Sequence, residues 1–324
     1  PSWRPDIPLP VNPRDFKTPN YGMTTFGDLF TDRQLVALTT FSDLVQEARP
    51  RVERDALAAG LDAPRAAAYA DAVVTYLAFA VDKAADYNSS ISLWSPTRDQ
   101  AKATFARQAI PMAWDFSEVN PFAGAAGDLG VSIAGMARSI TQILGVGISG
   151  IAYQSDAATG DGPYHSSICI STDPPYYDNI GYADLSDYFY VWLRRSLASI
   201  YPYLFETLLV PKVQELVASP YRFDGDRERA RQFFETGLVK TFGRMRSVAD
   251  GGYPLTIYYA FKQSELQDED DGDGGFVVAS TGWETMLQGL MQSGFQITGT
   301  WPMRTERGVR SVALGTNALA SSIV

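Results

Sequence analysis

Apolar residues recur every three or four positions after Thr31, at Leu35, Leu38, Phe41, Leu44 and Val45. That spacing lines one face of a helix, and Thr31 is a side chain suited to capping its start. Gly60 is a stop signal, and Asp62-Ala63-Pro64 begins a second helix with proline in its first turn. Tyr69, Val73, Tyr76, Leu77 and Ala80 give that helix an apolar stripe, which fades at Asn88-Ser89-Ser90. Such stripes usually pack on a core, so the two helices are predicted to form an amphipathic pair beside the main domain. Ahead of them, residues 1–30 are rich in proline, asparagine and glycine and are predicted to be an extended, surface-hugging lead-in.

Beyond about residue 140 the pattern changes. Short apolar runs at Ile148–Gln154, Ser167–Ser171, Leu255–Phe261 and Phe295–Trp301 have the character of strands. Helical stretches lie between them at Asp184–Leu197, Ala230–Val248 and Trp283–Gln292, the last closed by Gly294. Alternation of this kind predicts an α/β sheet with crossover helices. The strand Phe295–Trp301 and the chain that follows it have no helix between them and are expected to pair antiparallel across the turn Arg304–Gly308. The chain thus divides into a helical and irregular extension, residues 1–140, and an α/β domain, residues 141–324. The acidic, glycine-rich stretch Glu265–Gly275 imitates a calcium loop. The twelfth position from Asp268 is Ala279 rather than glutamate, so a solvated surface loop is expected.

Composition narrows the chemistry. With 324 residues, 45% of them hydrophobic, the chain can bury a large core. The longest apolar run, Ala72–Val81, is too short to span a bilayer and is flanked by Asp71 and Asp82, so no membrane is expected. One cysteine, Cys169, excludes an internal disulfide and a cysteine-built zinc site. The single histidine, His165, makes a histidine triad or histidine-built metal centre implausible. No metal is therefore expected, and a reducing, cytoplasmic setting fits. A net charge of −10 argues against broad nonspecific affinity for DNA, although local basic patches can still steer a duplex. The chain opens on Pro1 and closes on the strand-like run Ala318–Val324, and is read as a fragment.

The most informative residues follow the strand Ser167–Ser171: Thr172-Asp173-Pro174-Pro175-Tyr176-Tyr177. Ligands of open α/β sheets bind beyond the carboxyl ends of strands, which is where this segment sits. Two prolines fix the backbone in an extended form and supply no N–H groups, so carbonyls are left to face a ligand. A carboxylate, a carbonyl and an aromatic ring together suit a specific reaction. The exocyclic amino group of adenine is a poor nucleophile, because its lone pair is delocalised into the ring. Acceptors at Asp173 and Pro174 would favour the pyramidal amine and stabilise the positive charge that develops on methylation. Tyr176 offers a face for a base extruded from the duplex.

These residues resemble the catalytic motif of amino-group DNA methyltransferases. The longer run DPPYYDNIGYADLSDYFYVWLRR resembles a family of large prokaryotic adenine-specific DNA methylases, often found near restriction or phage-defence genes. The likeness continues through FARQAIPMAWDFSEVNPF (105–122), the strand ending at Lys262, the Trp283 helix, WPMRTE (301–306) and ALASSIV (318–324). It is weaker over residues 20–50. The resemblance implies a Rossmann-like methyltransferase core with an antiparallel final strand, S-adenosylmethionine as cofactor and DNA as partner. It assigns catalysis to Asp173, Pro174, Pro175 and Tyr176, and the cofactor's adenine to Asp156 and Ala157. Tyr177, Arg194, Arg195, Lys212 and Lys262 are the candidate DNA contacts, and Lys262 is favoured by its place at a strand end. The basic stretches Arg222–Arg231, Lys240–Arg246 and Arg304–Arg310 could also border a DNA groove. Defence-system proteins are expected as further partners.

One feature departs from the family. The glycine-rich cofactor loop is imitated only by Asn120–Gly127, and the residues before it are too polar for a buried strand. The resemblance places the true loop in an N-terminal portion of the polypeptide upstream of Pro1. Two alternatives to N6-adenine methylation stand: N4-cytosine methylation by the same acceptor chemistry, and a non-catalytic DNA-binding or scaffold module derived from a methyltransferase.

Overall fold

The computed structural model describes residues 3–143, 150–160, 167–177, 180–259, 281–303 and 322–323. Its contacts form two compact units, Pro1–Ile151 with Tyr182–Val213, and Ala152–Gly181 with Gln214–Val324. The helix after the Asp-Pro-Pro-Tyr motif therefore belongs to the first unit, not to the domain beginning near residue 141. Sequence order places that helix beside the motif, whereas its packing is set by buried area.

In the first unit, α1 (Asp32–Ala58) starts at Thr31, which forms a reciprocal capping box with Gln34. Helix α2 (Ala63–Tyr87) is capped by Asp62, whose carboxylate accepts the Arg65 N–H at 2.9 Å. Gly60, at φ +95°, makes the left-handed turn between them. Leu35, Leu38, Phe41 and Val45 are buried as their spacing predicts, and Leu44 is exposed. The stripe on α2 differs from the predicted one. Its buried face is Ala66, Ala70, Val74, Ala78, Val81 and Ala85, while Tyr69 and Tyr76 look outward. Small side chains let two helix backbones come close, and rings on that face would hold them apart.

An antiparallel pair, β1 (Trp94–Ser95) and β2 (Gln100–Ala101), follows, then α3 (Leu129–Ile143) and α4 (Tyr182–Leu197). The lead-in is irregular, but it does not hug the surface. Phe16, Phe26, Leu29 and Phe30 are buried, and Phe30 stacks on Tyr188 and meets Trp192 edge-on. With Leu9 also buried, five large apolar side chains in thirty residues outweigh the turn-forming composition around them. Tyr190 and Trp192 pack within the fold, while Tyr182 is exposed.

A buried acid marks α2. One carboxylate oxygen of Asp82 is sequestered with no hydrogen-bond partner, and Asp86 lies one turn along. Burial, reinforced by the Asp86 charge, holds the Asp82 carboxyl well above its ordinary range. A folded-state pKa raised above the unfolded one contributes stability at low pH, and that contribution fades as pH rises through the folded value. Asp82→Asn should therefore raise the thermal unfolding midpoint at pH 8 and change it little at pH 4. An equal effect at both pH values would contradict the assignment.

In the second unit, β3 (Ser171–Thr172) pairs in parallel with β4 (Thr256–Ile257), Ser171 opposite Thr256. The connection between them includes α5 (Arg227–Val248), capped by Asp226. Helix α6 (Thr281–Gln292) follows, and Gly294 closes it at φ +81°. Phe234, Leu238 and Phe242 of α5 meet Met286 and Leu290 of α6 in one core, with Ala218 and Tyr259. Finally β5 (Pro302–Met303) pairs antiparallel with β6 (Ser322–Ile323), a pair that does not include the strand expected at Phe295–Trp301. Two predicted strands are not seen among the described residues. Residues 150–154 and 295–301 have no regular structure, and Ile151 is 76% exposed. Strand propensity is largely a packing effect, and these stretches have no paired neighbour among the described residues. The fold is thus mixed α/β, with long helices and small sheets. Among the described residues no helix is long and apolar enough to cross a membrane.

Candidate functional site

Strand β3 is pinned up to its last residue. The Thr256 N–H donates to the Ile170 carbonyl at 3.0 Å, and the Tyr258 N–H to the Thr172 carbonyl at 2.8 Å. Upstream, the Ile168 N–H donates to Val248 and the Ile168 carbonyl accepts from Asp250. Asp173 is the next residue after this ladder, so the motif leaves the carboxyl end of a strand in a parallel pair. Pro174 is buried, while Pro175, Tyr176 and Tyr177 are half-buried. The Asp173 side chain is exposed, and no hydrogen bond or ion pair among the described residues engages it.

The tyrosines after the prolines are held from several elements. Tyr176 meets the Tyr259 ring edge-to-face, with centroids 5.5 Å apart at 86°. Tyr177 meets Phe234 of α5 at 5.2 Å, and its carbonyl accepts the Ala218 N–H at 2.9 Å. Tyr177, a candidate DNA contact, thus packs on the core as well. A cavity of about 860 Å³ opens nearby, between β4, α6 and residues 294–301, with Tyr259, Trp283, Phe295 and Trp301 among its walls. Tyr176 does not line it. Tyr259 both lines this cavity and packs on the Tyr176 ring.

Asp156 and Ala157 share the second unit with the motif. The Asp156 carboxylate closes its own turn, accepting the Thr159 hydroxyl at 2.6 Å and the Ala158 N–H at 2.8 Å. These bonds hold its carboxyl below the ordinary range. Ala157 is exposed.

Three candidate DNA contacts belong to the first unit, and each is engaged there. Lys212 sits 2.7 Å from the fully buried Asp187. Arg195 pairs with Asp43 at 2.5 Å and lies over the Trp3 ring. Arg194 donates to the Phe205 carbonyl at 3.2 Å. In the second unit, Arg222 pairs with Glu215, and Arg231 with Glu228. Lys262, Arg304–Arg310 and Glu265–Gly275 lie outside the described residues.

The loop Asn120–Gly127 lies in the first unit, so the structure does not join it to the motif's unit. Its geometry is that of a helix cap. The Asp128 carboxylate accepts the Gly124 N–H at 2.8 Å and the Val131 N–H at 2.9 Å, which holds its carboxyl below the usual range. Gly127 has φ +88°, and a Cβ there would press on Val119 and Tyr87. Its glycines serve a turn into α3.

Sequence reasoning passed over the acids Asp184 and Asp187, which are buried on α4. Asp184 accepts a hydrogen bond from Asn12 at 3.0 Å, and Asp187 from the Val210 N–H at 2.8 Å. Their signal was available: two acids three apart within a run of aromatics, on the face that packs. Among the described residues no cluster of potential ligands could hold a metal ion. Comparison with protein-family models, with curated proteins and with solved structures returns no match.

Proposed function

We propose that this chain is the catalytic portion of an S-adenosylmethionine-dependent DNA methyltransferase acting on the N6 amino group of adenine. One observation carries the reading: Asp173-Pro174-Pro175-Tyr176 leaves the carboxyl end of a strand in a parallel pair, with its carboxylate exposed and in no ion pair among the described residues. A carboxylate so placed is available to an incoming amine. The rigid prolines hold it in register with the Pro174 carbonyl, and the two acceptors draw the amino protons into the pyramidal geometry. Tyr176 gives the extruded base a face, and the remaining rate comes from alignment. When bound, the cofactor supplies the methyl group. Asp156 can still serve it, because two carboxylate oxygens have about four acceptor positions and the local turn takes two. The wider Rossmann-like core and a role in restriction-modification or phage defence rest on the family resemblance, and the cytoplasmic setting on the single cysteine.

A second reading, a non-catalytic DNA-binding module, is favoured by a specific observation. The glycine loop at Asn120–Gly127 is a helix cap, and no other cofactor loop stands among the described residues of the second unit. Labelled methyl transfer to oligonucleotides carrying only adenine or only cytosine as aminated target separates the alternatives. Transfer to adenine alone is expected; transfer to cytosine alone would reassign the base. Absence of both transfer and cofactor binding by calorimetry would favour the binding module.

A further inference from the structure

We propose that Tyr259 is the positioning residue of this motif: it fixes the plane of the Tyr176 ring, and Gly282 is what allows it to do so. The inference rests on the reading of Tyr176 as the face that receives the base. Tyr259 lies two residues beyond β4 and is only 2% exposed. Three contacts define its ring. It meets Tyr176 edge-to-face at 5.5 Å; the Trp283 ring stacks on it at 6.3 Å and 28°; and its hydroxyl donates to the Gly282 carbonyl at 3.3 Å. Edge-to-face pairs have a preferred geometry, because the positive edge of one ring seeks the negative face of the other. A ring held by a neighbouring indole and a backbone carbonyl therefore transmits its orientation to Tyr176.

Gly282 supplies the close approach. A Cβ added there would lie 3.0 Å from the Tyr259 hydroxyl and 3.3 Å from the Tyr177 Cβ. The first turn of α6 thus sits so close to the motif and to Tyr259 that a side chain at this position would make one of them give by a few tenths of an ångström. Alanine is otherwise the better helix residue, so helix propensity does not explain a glycine here.

A positioning role and a core-filling role predict different results. Tyr259→Leu removes the ring that orients Tyr176; it should lower kcat for methyl transfer by about 10–100-fold, the scale of a misplacement near 1 Å. The KM for S-adenosylmethionine should stay within about twofold. Tyr259→Phe keeps the ring and should restore most of kcat. Gly282→Ala should lower kcat without lowering the unfolding midpoint. Leu238→Ala, a deletion in the same core, should lower the midpoint and leave kcat unchanged. A 3-fluorotyrosine placed at position 176 reads the geometry in Gly282→Ala, where the Tyr259 ring is retained, so a displaced ¹⁹F line there reports a changed arrangement of the two rings rather than the loss of one.

The expected result is a displaced ¹⁹F line in Gly282→Ala together with a loss in kcat. An unmoved line overturns the proposal whether or not the protein transfers methyl groups, as does a displaced line with kcat intact. If the wild-type protein transfers no methyl and the line still moves, the methyltransferase reading fails while the assignment of Tyr259 to the Tyr176 ring stands.

Discussion

Asp173→Ala is expected to lower methyl transfer to DNA by about 10²–10³-fold, the cost of removing one group that stabilises charge in a transition state. The prediction is sharp because the site separates chemistry from folding. Asp173 is exposed and enters no ion pair or hydrogen bond among the described residues, so its loss should move stability by no more than about 0.5 kcal/mol. The strand before it is pinned by backbone bonds from Thr256 and Tyr258, which the substitution leaves alone. Asp173→Asn, which keeps one acceptor oxygen, should fall between the wild-type and alanine proteins. The measurement is labelled methyl transfer at saturating cofactor, alongside a denaturant titration. Unaltered turnover in Asp173→Ala would remove the central acceptor from the mechanism.

Lys212→Met should be the most damaging single change to the first unit, costing about 3–5 kcal/mol. Asp187 is fully buried on α4, with one oxygen 2.7 Å from the Lys212 ammonium and the other accepting the Val210 N–H. Without the cation, a carboxylate remains in a site that water does not reach. Burial already raises the Asp187 carboxyl above its ordinary range, against the pull of Lys212 and the Val210 N–H. A raised folded pKa means that the protonated form is favoured in the fold, so its contribution to stability is present in acid and lost as pH rises. Removing Lys212 raises the folded value further. The variant should thus be weakest at neutral and alkaline pH and recover towards acid. Adding Asp187→Asn should restore part of the loss at neutral pH, a coupling that a double-mutant cycle measures. A loss below about 1 kcal/mol, or none of this pH dependence, would show that the pair is not what holds α4. The same experiment bears on DNA: a weakened affinity that merely tracks unfolding would mark Lys212 as structural.

Local signals carried far along this chain. Thr31, Gly60 and Asp62 bound two helices where capping chemistry predicts them, because each satisfies end groups within a few residues of itself. The motif strand was legible for a similar reason, since Ile168 to Thr172 runs into two prolines that end it. The inward face of α2 was not legible. Alanine and tyrosine are both acceptable on a stripe, and only the distance to the neighbouring helix selects between them. Nor was the depth of the lead-in, where Phe26 and Leu29 are fully buried in a segment that reads as turns.

The sequence alone determined that the stretches of α1, α2, α4, α5 and α6 coil, though not that of α3, and that a carboxylate, two prolines and an aromatic ring follow a strand. All of these are set by bonds and sterics within a few residues. Tertiary structure decided the rest: that Lys212 and Arg195 pair with acids of their own fold, that Asn120–Gly127 caps a helix, and that Tyr259 stands beside Tyr176. Each depends on a partner distant in the chain, and a charge or a ring carries no mark of which neighbour will reach it until burial has chosen one.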